Sequence, residues 1–363
     1  MNADFILAIG ELGKEKGIDP EFLFQAVEEA LITAYKKNFG SNQNVRIDMN
    51  KATGEIHVYA QRRIVEATGE DPNEISLEEA RKIDPRYEVD DIVEAEVTPR
   101  NFGRIAAQNA KQVVVQRIRE AERGMVFEKF SSRENDIVTG IIQRMENKNV
   151  YIDLGKAEAI LTPNEQIPGE IYQYHDRMKT YIVEVKKTSK GPQIMVSRTH
   201  PGLLKRLFEL EVPEIHDGLV EIKSVAREPG MRSKISVYTK DENIDPVGAC
   251  VGHKGMRVQT IVNELRGEKI DIVKYSSEPD QYVANALSPA KVVSTEVMEE
   301  EKICRVIVPD YQLSLAIGKE GQNARLAAKL TGWKIDIKSE TQAAEEAEQE
   351  TQEVGVAYEA DED

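Results

Sequence analysis

Apolar positions near the N-terminus recur at helical spacing. Phe5, Ile6, Ile9 and Leu12 form a first stripe, which Gly17 stops. Asp19 as cap and Pro20 at the first helical position open a second helix, whose stripe runs Phe22, Leu23, Ala26, Val27, Ala30, Leu31 and Tyr35. The period then drops to two. NVRIDM and EIHVYAQRRIV alternate as strands around the turn-like NKATG and predict a hairpin. SLEEARKI begins with Ser76 and Glu79 in the spacing of a capping box, DIVEAEVTP supplies a third strand, and a long helix is expected from about Arg104 to Arg123. Together these elements predict an α+β domain over residues 1–128.

Over 133–199 the pattern becomes a series of short β-rich runs, with turns at Glu146–Asn149, Leu154–Lys156 and Ser189–Pro192. Short strands at such spacing predict a five-stranded closed barrel of the oligonucleotide-binding type. In NVYIDLG, period two turns Val150, Ile152 and Leu154 inward and leaves Tyr151 and Asp153 outward. An outward Tyr151 either stacks a base or packs on a neighbouring domain.

Residues 200–276 and 277–340 repeat one order of elements: helix, strand, strand, short helix, G-x-x-G, helix, strand. Gly252 and Gly255 align with Gly318 and Gly321 at an offset of 66. After a slip of one position, Leu265, Gly267, Ile270, Asp271 and Ile272 align with Leu330, Gly332, Ile335, Asp336 and Ile337. The chain carries a tandem duplication of one α/β unit.

Charge changes the picture once its distribution is seen. The net charge is −16 over 363 residues, but residues 339–363 hold 10 acidic residues and no basic ones. Residues 126–198 and 199–338 are close to neutral and can carry basic faces. The segment 341–363 is acidic, of low complexity and poor in large apolar groups, and is expected to be a disordered tail. It is expected to act either as a tethered polyanion competing with a ligand for basic surface or as a solubilising tail. No run is apolar enough to span a membrane. MNADFILAIGELGKEKG lacks a basic leader and a cleavage site, so a cytoplasmic location is expected. Cys250 and Cys304 have no partners for a zinc site and are expected to be small buried groups; no metal or cofactor is implied.

The candidate chemistry lies in the repeated loops. Glycines there admit backbone conformations closed to other residues and let a nucleic-acid backbone approach without a Cβ in the way. Free amides at the start of the next helix suit phosphate. His253 and Lys254 stand between the glycines of copy one, Lys319 and Glu320 between those of copy two. Lys254, Arg257, Lys319, Arg325 and Lys329 place positive charge beside the proposed groove, where each neutralised phosphate releases counterions. Glu320 faces solvent or accepts from a base edge. Copy one has the more basic loop and copy two the more basic following helix, so the sequence does not rank them. Without a ligand, both loops would be tight helix–helix turns.

Two helix–GxxG–helix–strand units resemble paired KH domains of the type II arrangement, in which the loop clamps about four nucleotides of single-stranded RNA. The preceding barrel resembles an S1 domain. An α+β N-terminal domain followed by S1 and two KH domains resembles the NusA family of transcription elongation and termination factors, from MNADFILAIGELGKEKGI to WKIDIKS. The short acidic tail stands where some members carry acidic repeat domains. The resemblance implies a monomer whose residues 1–128 dock on the RNA polymerase core, while S1 and both KH domains contact nascent single-stranded RNA. Pausing, hairpin-dependent termination and, with other Nus factors, antitermination are the implied outputs.

Two other classes make different demands. An RNA-processing enzyme needs a catalytic constellation, and Glu28, Glu29, Glu78 and Glu79 sit on helix faces with no His–carboxylate or paired-Asp motif; His57 lies within a strand. No catalytic residue is assigned. A ribosomal or translational RNA binder would have an N-terminal domain that does not retain polymerase.

Overall fold

The protein is described by a computed structural model over residues 3–39, 43–51, 53–66, 71–346 and 348. It divides into two compact units, 1–128 and 129–363.

In the first unit, helices α1 (Ala3–Lys16) and α2 (Pro20–Phe39) precede the hairpin β1 (Asn44–Met49) and β2 (Ile56–Val65). Then come β3 (Glu74–Ser76), α3 (Leu77–Ile83), β4 (Ile92–Glu96) and α4 (Phe102–Ser131). Strand β2 is central, antiparallel to β1 and β4 and parallel to β3. Ile6 and Ile9 are buried as the stripe predicts, Leu12 remains partly exposed, and the side chain of Phe5 lies outside the described residues. Ala52 of the predicted turn is also outside them. Ser76 Oγ accepts from the Glu79 amide at 3.2 Å, which closes half of the predicted capping box. Helix α4 outruns the expected end at Arg123. Gly124 costs a helix interior only about 1 kcal/mol, and burial of Phe130 at the far end offsets it.

The second unit opens with β5 (Ile137–Glu146), β6 (Asn149–Asp153), β7 (Glu158–Leu161), β8 (Arg177–Thr188) and β9 (Gly191–Ser197), closed as a barrel in the order β5-β6-β7-β9-β8. Asn147 and Lys148, both with positive φ, make the tight β5–β6 turn. Val150 and Ile152 are buried and Tyr151 faces out, as period two requires.

The first repeat comprises α5 (Pro201–Glu211), α6 (Pro213–His216), β10 (Glu221–Glu228), β11 (Arg232–Tyr238), α7 (Pro246–Val251), α8 (Met256–Glu264) and β12 (Lys269–Lys274). The second comprises α9 (Pro279–Ala286), β13 (Ser294–Met298), β14 (Ile303–Val308), α10 (Leu313–Ile317), α11 (Gln322–Thr331) and β15 (Lys334–Ser339). In each sheet the first two strands are antiparallel and the last two parallel, so K-I-D-I is the strand that closes each sheet.

Barrel and repeats share cores. Ile137 and Tyr181 of the barrel pack with Leu203, Leu204 and Phe208 of α5, while Ala226 and Val273 of the first repeat belong to the core of the second. Cys250 and Cys304 are fully buried; burial pushes the Cys250 thiol up to about 12, which keeps it unreactive.

The tail departs from expectation at its start. Residues 341–346 are helical, because Ser339 Oγ accepts from the Gln342 amide and Gln342 Oε1 from the Ser339 amide, a reciprocal cap. Thr341 Oγ1 also donates to Asp310 at 3.0 Å, and Lys338 pairs with Glu346. Residues 347 and 349–363, the rest of the expected disordered tail, lie outside the described residues.

Candidate nucleic-acid interface

The two G-x-x-G loops have the same backbone. Gly252 and Gly318 sit at φ 74°, ψ 176° and φ 76°, ψ 171°; Lys254 and Glu320 at φ 51°, ψ 28° and φ 54°, ψ 27°; Gly255 and Gly321 at φ 76°, ψ 11° and φ 73°, ψ 15°. Three left-handed or positive-φ residues in four turn the chain sharply between two helices, and glycine tolerates two of those positions without strain. The same bonds close both loops: Gly252 and Gly318 amides donate to Gly248 and Ser314, and Gly255 and Gly321 amides to Gly252 and Gly318. The amides of His253, Lys254, Lys319 and Glu320 have no acceptor among the described residues.

The glycines of each pair are not equivalent. A Cβ on Gly252 would meet the Arg257 side chain at 2.7 Å, and one on Gly318 the Asn323 backbone nitrogen at 2.8 Å. Around Gly255 and Gly321 there is open space. The first glycine of each loop therefore serves helix packing, and the second leaves room for a ligand.

The nitrogen-bearing side chains expected at the groove fall into two groups. His253, Lys254, Lys319 and Lys329 are exposed and have no ion pair among the described residues. Arg257 instead donates to Ala249 O at 2.6 Å and to Glu214 at 2.9 and 3.2 Å, and Arg325 pairs with Glu228 at 2.7 Å. Both arginines, expected beside phosphate, are braces within the protein. At the position aligned with Arg257, buried Asn323 donates to Ala316 O and Leu287 O, so each following helix caps the carbonyls of the helix before its loop. Glu320 is exposed, with its carbonyl accepting from Arg325 at 3.2 Å.

On the barrel, the Arg144 guanidinium lies 3.9 Å over the Tyr151 ring and is itself held by Glu158 and Glu146. One face of Tyr151 is thus covered. The barrel is tied to the first repeat by Arg198, 1% exposed, which pairs with Glu170 at 2.5 Å and donates to Lys179 O and Glu264 O. Tyr181 stacks on His200 at 4.5 Å.

Sequence reasoning did not find exposed apolar groups flanking the loops: Met256 at 67%, Tyr311 at 81% and Leu315 at 47%. Tyr311 and Leu315, four apart just before Gly318, lie off the Leu313–Ala316 core stripe, a signal available from periodicity. Among the described residues no cluster of His, Cys, Asp and Glu could hold a metal ion, and no helix is long and apolar enough to cross a membrane.

Four family profiles match the chain in order. They are described as NusA N-terminal domain (residues 4–124), S1 RNA binding domain (131–197), NusA-like first KH domain (198–275) and NusA-like second KH domain (279–345). The transcription termination/antitermination protein NusA of Halalkalibacterium halodurans is 65% identical over 345 residues, covering 95% of this chain and 90% of its own length. That of Bacillus subtilis (strain 168) is 65% identical over 345 residues, covering 95% and 93%. That of Thermus thermophilus is 42% identical over 346 residues, covering 92% and 89%.

Proposed function

The chain belongs to the NusA family, and from that premise we propose how it engages its partners. It is an RNA-binding transcription termination/antitermination protein, not an enzyme, and its partners are RNA and RNA polymerase. In our reading residues 1–128 dock on the polymerase core, in the cytoplasm, with the protein a monomer. The barrel (133–199) and the two repeats (200–276 and 277–340) then receive nascent single-stranded RNA. Other Nus factors join the assembly when the outcome is antitermination.

The observation that carries this reading is the identity of the two loops. Each presents two amides with no acceptor among the described residues, an exposed lysine and a second glycine facing open space. A phosphodiester backbone crossing Gly255 or Gly321 meets no Cβ, while the amides before each glycine and the start of α8 or α11 supply donors and positive potential. Lys254, Lys319 and Lys329 add exposed positive charge, and His253 adds an exposed imidazole. Each clamp alone holds about four nucleotides weakly; joined in one compact unit they multiply.

The direct test is equilibrium binding of a single-stranded RNA at several salt concentrations. Gly255→Asp and Gly321→Asp should each weaken binding about tenfold or more with the fold intact, and the double variant more than either. Lys254→Ala or Lys319→Ala should flatten the salt dependence by about one charge. Unchanged affinity in the folded double variant contradicts the reading.

A further inference from the structure

One carboxylate of the first repeat reaches the loop of the second. Glu228, at the end of β10, accepts from Arg325 Nε at 2.7 Å with one oxygen and from Gln322 Nε2 at 2.7 Å with the other. Gln322 directly follows Gly321, and Arg325 Nη1 donates to the carbonyl of Glu320, the left-handed residue of the loop. Glu228 is 17% exposed on its side chain, and the Arg325 bond holds its carboxyl below the ordinary range, so it is an anion at neutral pH.

The first repeat is built differently. Its loop brace, Arg257 with Glu214, is contained within that repeat. Asn323, the aligned residue in the second repeat, is neutral and bonds only to carbonyls. The second loop therefore borrows its anion from the first repeat.

We propose that Glu228 is a positioning residue for the RNA loop of the second repeat, so that the first repeat sets the geometry of the second clamp. This rests on the reading of residues 318–321 as an RNA contact. A non-glycine residue at φ 54° is intrinsically strained; Lys254 holds nearly the same dihedrals with no side-chain donor to its carbonyl among the described residues, so the Arg325 bond does not create the turn but steadies the Glu320 carbonyl within it. Arg325 is fixed in turn by Glu228. Without the carboxylate the guanidinium is free to swing and the loop loses its support. The repeats themselves stay docked, since Lys234 bridges to Ser288 O and Ala226 and Val273 remain in the second core.

The test uses the full chain, an RNA of about twelve nucleotides, long enough for two clamps, and Glu228→Gln in two backgrounds. Where Gly255→Asp has disabled the first loop, E228Q should weaken the remaining binding by about threefold to tenfold. Where Gly321→Asp has disabled the second, E228Q should change nothing. Amide resonances of Lys319, Glu320 and Gly321 should shift in E228Q, with those of His253, Lys254 and Gly255 unmoved and the melting temperature of the chain preserved. Equal loss in both backgrounds, no loss in either, or tighter binding overturns the proposal; tighter binding would make Arg325 a phosphate ligand that Glu228 restrains. If Gly321→Asp alone leaves affinity unchanged, the loop is not an RNA contact and the underlying reading fails first.

Discussion

The ammonium of Lys234, fully buried, lies 3.0 Å from Asp271 Oδ2 and donates at 2.8 Å to Ser288 O, across the seam between the repeats. Asp271 is the acid of the first K-I-D-I, and Arg232 also binds it at 2.7 Å. Its counterpart Asp336 is 45% exposed and has Lys338 at 3.6 Å. The same word in the two copies therefore carries different weight. Asp271→Asn should strand a buried ammonium and destabilise the second unit by about 3 kcal/mol. Asp336→Asn should leave stability unchanged. Urea unfolding of the two variants side by side makes the comparison; equal costs would refute it.

A second buried pair gives stability a pH dependence of known sign. Glu268 is fully buried; desolvation pushes its carboxyl up, but the bidentate Arg227 guanidinium at 2.8 Å, the Ser233 hydroxyl and the Gly230 amide outweigh it and hold the group below the ordinary range. A depressed folded-state pKa means that its contribution is complete above the unfolded value and is lost as pH falls through the folded one. Stability should drop on acidification below about pH 4.5. Glu268→Gln should lower stability at neutral pH by about 3 kcal/mol or more, and its stability curve should be flatter in acid. Parallel curves for both proteins would exclude Glu268 as a source of the slope.

Within one loop the two glycines should respond differently to alanine. At Gly318 the new methyl meets Asn323 and the residue has positive φ, so Gly318→Ala should cost about 3 kcal/mol. At Gly321 only the backbone term applies, about 1 kcal/mol. Calorimetric melting of the two single variants reads the difference, and a Gly321→Ala cost equal to that of Gly318→Ala would disprove the division of roles.

Tyr151 has one ring face under Arg144, so a base can stack on the other face alone. Tyr151→Phe should retain RNA affinity, because stacking needs only the ring, and Tyr151→Ala should lose about fivefold. Full affinity in the alanine variant makes Tyr151 a packing residue on the barrel surface.

The sequence made the loops legible and hid their braces. Gly252–Gly255 and Gly318–Gly321 are local signals, since positive φ and the turn between two helices are specified within four residues. The strands that flank them follow from period two, and the barrel from short runs and turns. Arg257 and Arg325 were visible as charge beside the groove, yet a charge does not announce its partner: Glu228 is 97 positions from Arg325, and Glu214 is 43 from Arg257. Only folding brings them together. Glu320, the one loop residue that a phosphate disfavours, makes sense locally: its backbone is what the turn uses, with the side chain left in solvent. The helix at 341–346 was missed because composition described the tail as a whole, whereas the Ser339–Gln342 cap acts over four residues.

In the reading proposed above, RNA crossing the two loops is what lets the protein, docked on polymerase, prolong a pause. Single-round transcription over a hairpin pause site tests it most directly, with the natural chain compared against the folded Gly255→Asp, Gly321→Asp double variant. The natural chain should lengthen the pause and the double variant should fall back towards the lifetime seen without protein, while still binding polymerase. Full pause enhancement by the double variant would contradict the account.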